Sequence, residues 1–261
     1  MIRVWNGVIS MIRNEEKGIV YYSFENLGGA GGVRHLFSTR FGGVSEGKFA
    51  SMNLGFTRGD DGEAVEENYR RIASLGFPRE KMVFSNQVHE VNVKRVGSAD
   101  CGQPMKGSVD GLMTDEVGVV LVTFYADCVP LYFYDPVRRA IALSHAGWRG
   151  TIDGIGQVTV EAMEREFGSI ASDILVGIGP SICGECFEVG EDVAEKFGVS
   201  GRTVDLWDVN RRILMEAGVL EKNIELPMVC TKCNPDEFYS HRVMGGDRGS
   251  LAAVMVLEDE R

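Results

Sequence analysis

Apolar residues recur along this chain with two different periods, and the switches between them lay out the elements. Val117 to Thr123, VGVVLVT, is a continuous β-branched and aliphatic run, the pattern of a strand buried on both faces. Ala140 to Ser144 is a second such run; between them Leu131 to Tyr134 is short and aromatic, ahead of an Asp135-Pro136 turn signal. Ile174 to Ile178, Ile224 to Val229 and Leu251 to Leu257 read as further strands. Met82 to Val96, MVFSNQVHEVNVKRV, alternates as an edge or half-buried strand, which places Gln87 and His89 on one face. Ile19 to Phe37 is apolar and aromatic but broken by LGGAGG, which reads as a hairpin connection and not a phosphate loop, because no GK[ST] follows.

The other period is helical. Asp60-Asp61-Gly62 precedes EAVEENYRRIASLGF, where Val65, Tyr69, Ile72 and Leu75 share a face, acidic residues lead, basic residues follow, and Gly76 ends the run. Thr151 to Phe167 carries Ile155, Val158, Ala162 and Met163 at helical intervals. A short helix is expected after SICGECFEVG, and a longer one over VDLWDVNRRILMEAGV with Leu206, Val209, Ile213 and Leu214 on one side. Strands and helices are interspersed without a strict βαβ repeat, which favours an α+β fold built on mixed sheets. No linker-like stretch divides the chain, so residues 1–261 are read as one domain.

Composition narrows the partners. A net charge of −11 argues against a broad grip on nucleic acid. No apolar run approaches a membrane span and the N-terminal stretch lacks a signal-type apolar core, so a soluble, cytoplasmic protein without membrane partners is expected, more as a monomer than an oligomer. Six cysteines in such a chain suggest reduced thiols or metal ligands over a disulfide framework. The pairs Cys183-x-x-Cys186 and Cys230-x-x-Cys233 could together form a structural zinc site but are far apart for a zinc ribbon, and unliganded thiols are expected there.

The chemistry concentrates between Asp110 and Gly154. Cys128 stands just beyond one apolar run and His145 at the end of the next, where a soft thiolate and an imidazole can converge. Taken singly, a buried Cys also packs as a small hydrophobe and a His also serves as a turn residue. Arg40, in a turn with Gly42-Gly43, reads either as an exposed charge or as an anion clamp.

In series, HLFSTRFGGVSEG, SMNLGFTRGDD, NQVH, DGLMT, ADCVPLYFYDP, SHAGWRG, IGPSI with FEVG, and CTKCNP with FYSHR resemble the YfiH/YlmD family, variously labelled laccase-domain, multicopper polyphenol oxidase and purine nucleoside phosphorylase. The resemblance runs from about His35 to the C-terminal strand. It implies a layered α/β/β/α sandwich with mixed sheets, related to the catalytic domains of cytotoxic necrotising factors, with the site at one end of the sheets. It makes His89 of NQVH, Cys128 of ADC and His145 of HAGW the metal ligands, and matches Arg40 of STR to an arginine used for phosphate or substrate. Ser181 and Cys183 of GPSICGECFEVG depart from the Cys- or Gly-rich pattern of relatives.

Two imidazoles and one thiolate leave the fourth position of a zinc ion open, the catalytic pattern, so one Zn2+ per chain is expected, with Cu2+ the lesser alternative. A four-copper oxidase needs a His-rich ligand set, and this chain has only His35, His89, His145 and His241. The activity implied is phosphorolysis of adenosine, inosine, guanosine or methylthioadenosine, with deamination of adenosine by zinc-activated water. The partners are then a nucleoside and phosphate, with Arg40 and Arg149 as phosphate candidates and Asp110 as a candidate for proton transfer or base recognition. The other readings are a metal-free hydrolase with Cys128 as nucleophile and His145 as base, for example in peptidoglycan-precursor editing, a single-copper oxidase of phenols, and a binding module.

Overall fold

The computed structural model describes residues 11–103 and 105–259. Two six-stranded mixed sheets carry the fold. The first runs Ile12–Glu16, Ile19–Ser23, Val33–Ser38, Leu251–Leu257, Val120–Tyr125, Met82–Phe84; the second runs Ile224–Glu225, Leu175–Ile178, Val129–Asp135, Ala140–Ala146, Gly111–Thr114, Val93–Arg95. Most neighbours are antiparallel; Met82–Phe84 on Val120–Tyr125, Val93–Arg95 on Gly111–Thr114, and Ile224–Glu225 on Leu175–Ile178 are parallel.

The two-residue side-chain period of a strand explains why the central strands are apolar at nearly every position. Leu121 and Tyr125 meet Phe37, Tyr132, Leu143 and Met255 between the sheets. Val120 and Val122 instead pack with Leu36 and Val254 beneath Val65, Tyr69 and Ile72 of the Gly62–Ala73 helix. On the far side, Leu131, Phe133 and Ala142 are covered by Ile155 and Val160 of the Ile155–Phe167 helix and Leu214 of the Leu206–Glu216 helix. The layers are helix, sheet, sheet, helices, the mixed-sheet α+β architecture expected.

LGGAGG does connect antiparallel neighbours, Ile19–Ser23 and Val33–Ser38, as expected, and the connection contains a helix, Glu25–Ala30, its first amides held by the Glu225 carboxylate and the Asn26 side chain tied to the carbonyls of Val176 and Asn223. Three local expectations are corrected. Met82 to Val96 is not one strand but two short ones in different sheets, joined by a crossing loop. The run beginning at Val117 enters its strand only at Val120, after a turn at Gly118 whose φ of 80° is left-handed. The helix after His145 is split into Trp148–Ile152 and Ile155–Phe167 by Gly154 at φ 75°.

His35 faces the inter-sheet core against Phe24 and Tyr132, where its Nε2 accepts the Phe24 N–H at 2.8 Å. Burial pushes this imidazole down from 6.5 to about 4, against the smaller upward pull of that hydrogen bond. The unfolded chain therefore binds a proton below pH 6.5 that the folded chain refuses, and stability falls as pH drops from about 6.5 to about 4. The expected loss over that window is roughly 3 kcal/mol. Urea titrations between pH 7 and 4 check this: His35→Gln, which keeps an acceptor but does not titrate, should flatten the dependence, and an unchanged slope would assign the loss to other groups.

Candidate metal centre

Two segments pass from the first sheet to the second at the same end of the sandwich, and each brings a ligand. Residues 126–128 link Val120–Tyr125 to Val129–Asp135 and carry Cys128; the loop from Phe84 to Val93 carries His89. His145 arrives on Ala140–Ala146, opposite Pro130. The donor atoms of His89, Cys128 and His145 all lie within 4.8 Å of one another, a group that can hold a metal ion. His145 is buried, Cys128 half-buried and His89 exposed, so the group is sealed beneath and open on the His89 side.

Both crossing loops are bent through left-handed residues, His89 itself at φ 68° and Asp127 at φ 83°. Such a conformation is uncommon outside glycine and persists where neighbours fix it. The fixing group at His89 is Asp110. Its fully buried carboxylate accepts the N–H groups of Val88, His89 and Glu90 at 3.0, 2.9 and 3.1 Å and lies 3.0 Å from Nδ1 of His145. At Asp127 the carboxylate accepts from Thr231 Oγ1 at 2.6 Å, Ser240 Oγ at 3.0 Å and the Arg242 N–H at 2.6 Å. Gly147 closes the back: a Cβ there would stand 2.9 Å from Cδ2 of His89 and 3.3 Å from the Cys128 sulfur.

Electrostatics agree with ligation. Burial alone raises the Cys128 thiol, but the His145 charge and hydrogen bonds from both imidazoles outweigh it and bring the thiol down to about 6. Burial likewise lowers His145, yet the Cys128 charge and the Asp110 hydrogen bond carry it up to about 9. Without metal the pair is a thiolate beside an imidazolium near neutral pH, and a metal ion would displace the imidazolium proton.

The other residues singled out from the sequence do not converge here in the same way. Asp110 stands behind the ligands and outside the cavity lining, so it orients His145 and the His89 loop instead of touching a base. Its carboxyl is held below the usual range, because the hydrogen bond from His145 and the N–H groups of Val88 and Glu90 together outweigh the larger single effect of burial. Asp110→Asn should weaken metal affinity by about 10- to 100-fold, read by competition with a chromogenic chelator; an unchanged affinity would make the contact incidental. Arg40 is half-buried, its Nε on the Ala50 carbonyl at 2.8 Å, Nη1 on the Pro235 carbonyl at 3.0 Å and its guanidinium 4.9 Å over Tyr239. Those contacts tie loops together. Arg149 is exposed and lies over the Trp148 ring at 4.3 Å. Neither lines the cavity at the metal group.

That cavity, about 720 Å³, is bordered by His89, Cys128 and His145, by Phe56, Phe84 and Phe124, and by three arginines not anticipated from the sequence: Arg79, which is paired with Glu66, and Arg58 and Arg248. Phe84 and Phe124 stack at 6.2 Å. Arg58 reaches Ser250 Oγ at 3.2 Å, and Arg248, 6% exposed, uses Nη1 on the Gly249 carbonyl at 2.9 Å while its Nε has no partner. Among the described residues neither guanidinium is ion-paired to a carboxylate. Burial first, and the Arg58 charge second, push Arg248 down to about 10. The signal that could have found them is each arginine's setting among glycines, in LGFTRGDD and MGGDRGS.

Fold and site define a two-sheet α+β protein with an open His2Cys group at the end of its sandwich. The chain belongs to the family described as multi-copper polyphenol oxidoreductase laccase, whose family model matches residues 34–258. It is 37% identical over 256 residues to a purine nucleoside phosphorylase of Bacteroides thetaiotaomicron, covering 89% of this chain and 95% of that one. It is 34% identical over 236 residues to adenosine deaminase RL5 from an unknown prokaryotic organism, covering 82% and 90%. The crystal structure of YlmD from Geobacillus stearothermophilus matches with a TM-score of 0.87 at 34% identity, over 95% of this chain and 100% of that one. Among the described residues no helix is long and apolar enough to cross a membrane.

Proposed function

We propose that this protein is a zinc-dependent purine nucleoside phosphorylase acting on adenosine, inosine, guanosine and S-methyl-5'-thioadenosine, and that it also deaminates adenosine. The carrying observation is that one cavity of nucleoside size joins an open His2Cys group to the unpaired guanidinium groups of Arg58 and Arg248. The relatives' names, purine nucleoside phosphorylase and adenosine deaminase, support the same substrate class.

Each wall has a task. Arg58 and Arg248 repel one another until an anion lies between them, and a phosphate takes charge-assisted bonds from both. Phe56, Phe84 and Phe124 offer flat apolar faces to a purine ring. In phosphorolysis a phosphate oxygen bonds to the ribose C1′ as the C1′–N9 bond breaks, and the departing base takes up a proton; held phosphate and stacked base convert that encounter into a positioned one. The donor set fits zinc, which when bound supplies Lewis acidity at the open position. Four histidines do not build a multicopper cluster: His35 is committed to the Phe24 amide inside the core, and His241 opens a short helix at the cavity rim.

Metal analysis of the purified protein, with product analysis on adenosine with and without phosphate, tests the proposal. Zinc, adenine plus ribose 1-phosphate only when phosphate is present, and inosine in either case are expected. Copper, or cleavage indifferent to phosphate, would refute it.

One observation favours a second reading, a thiol hydrolase: Cys128, His145 and Asp110 are linked in the order of a nucleophile, base and orienting carboxylate. His89 supports the metal reading, because a thiol nucleophile has no use for a second imidazole on its sulfur. Activity surviving excess chelator but lost on alkylation would favour the hydrolase.

A further inference from the structure

The two Cys-x-x-Cys pairs, expected from their separation in sequence to be independent thiols, meet in space. The sulfur atoms of Cys183, Cys186, Cys230 and Cys233 all lie within 4.8 Å of one another, and those of Cys186 and Cys233 are 3.4 Å apart. Sulfurs around one tetrahedral zinc, with Zn–S bonds of about 2.3 Å, stand roughly 3.8 Å from each other, inside that spread.

The backbone around the group is already shaped for thiolates. The N–H groups of Cys183 and Cys233 point at the Cys230 sulfur at 3.3 and 3.4 Å. Such donors stabilise a negative sulfur, the form that binds metal, whereas a disulfide sulfur has no charge for them to meet. The Cys186 amide turns back onto the Cys183 carbonyl at 3.0 Å, and the Asn234 side chain onto the Cys230 carbonyl at 2.8 Å, so both turns are tightened independently of any ion. A bridge between Ser181 and Cys230 lays the two segments side by side.

We infer that Cys183, Cys186, Cys230 and Cys233 form a second, structural zinc site. Four thiolates fill a tetrahedral ion and leave no open position, so this site does no chemistry on substrate. Its role is mechanical. The segments it joins are the ones that hold the Cys128 loop: Ile182 N–H donates to the Asp127 carbonyl at 3.1 Å, Thr231 Oγ1 to the Asp127 carboxylate at 2.6 Å, and Thr231 N–H to the Ser181 carbonyl at 3.1 Å. An ion there staples both braces of the left-handed residue that precedes Cys128.

The test is zinc content of protein produced in zinc-supplemented medium. About two zinc ions per chain are expected in the intact protein and about one in Cys128→Ala, which keeps all four thiolates. Cys186→Ser/Cys233→Ser should also keep about one, with a lower unfolding midpoint. Should that double variant fail to fold, the Cys128→Ala protein still decides: reconstituted with cobalt, it should show thiolate-to-metal charge-transfer absorption of a tetrathiolate site and resist alkylation at the four cysteines until chelator is added. Metal-free Cys128→Ala with freely alkylated thiols, disulfides in the intact mass, or iron in place of zinc would each overturn the inference. The two sites fail separately, since loss of zinc from the catalytic group alone leaves the Cys128→Ala count unchanged.

Discussion

Cys128→Ala is expected to abolish nucleoside cleavage and deamination together while the fold survives. The sulfur is the softest of the three donors and sits between both imidazoles, and His89 and His145 alone make a two-ligand site too weak to retain zinc during purification. Losing Lewis acidity worth several kcal/mol corresponds to a drop of about a thousandfold or more, at 1.36 kcal/mol per factor of ten. A small half-buried thiol replaced by methyl leaves packing nearly intact, so circular dichroism should not change. The measurements are kcat/KM for adenosine with phosphate, inosine formation without it, and zinc content. Activity persisting in a variant that has lost the His89–His145 ion would dismiss the metal mechanism.

Arg248→Met should separate the two reactions. Under the proposed function phosphorolysis needs an anion held by Arg58 and Arg248, and losing a charge-assisted contact costs about 2–4 kcal/mol, a fall of roughly 30- to 1000-fold. Deamination uses water and should fall much less, with zinc content unchanged. Stability should hold or rise, because the substitution removes a buried guanidinium whose Nε lacks a partner and which is repelled by Arg58. Arg40→Ala is the contrast: its guanidinium ties the Ala50 and Pro235 carbonyls and covers Tyr239, so melting temperature should drop while the ratio of the two activities stays constant. A selective loss of phosphorolysis in Arg40→Ala, with Arg248→Met unaffected, would return the phosphate to the turn at Gly42-Gly43.

The sequence by itself determined the strands that form the centre of both sheets, since a run such as Val120 to Val122 buried on both faces needs no partner to be recognised, and it determined the capped helix after Asp61, whose signals are local. It also named His89, Cys128 and His145, through short motifs and their resemblance to a family, although the strand drawn through His89 was a loop, because alternation cannot reveal that a chain leaves one sheet for another. What only the tertiary structure decided depends on partners far away in sequence. The glycine-rich Glu25–Ala30 segment is weakly helical alone, and its first two amides are held by Glu225, about two hundred residues away. The charge of Arg248 is visible in the sequence, but its burial beside Arg58, on which the proposed anion site rests, is not. The four thiols are separate in the chain and one cluster in space, because pairing of the segments around Ser181 and Cys230 closes the long loop between them, and no local spacing records that closure.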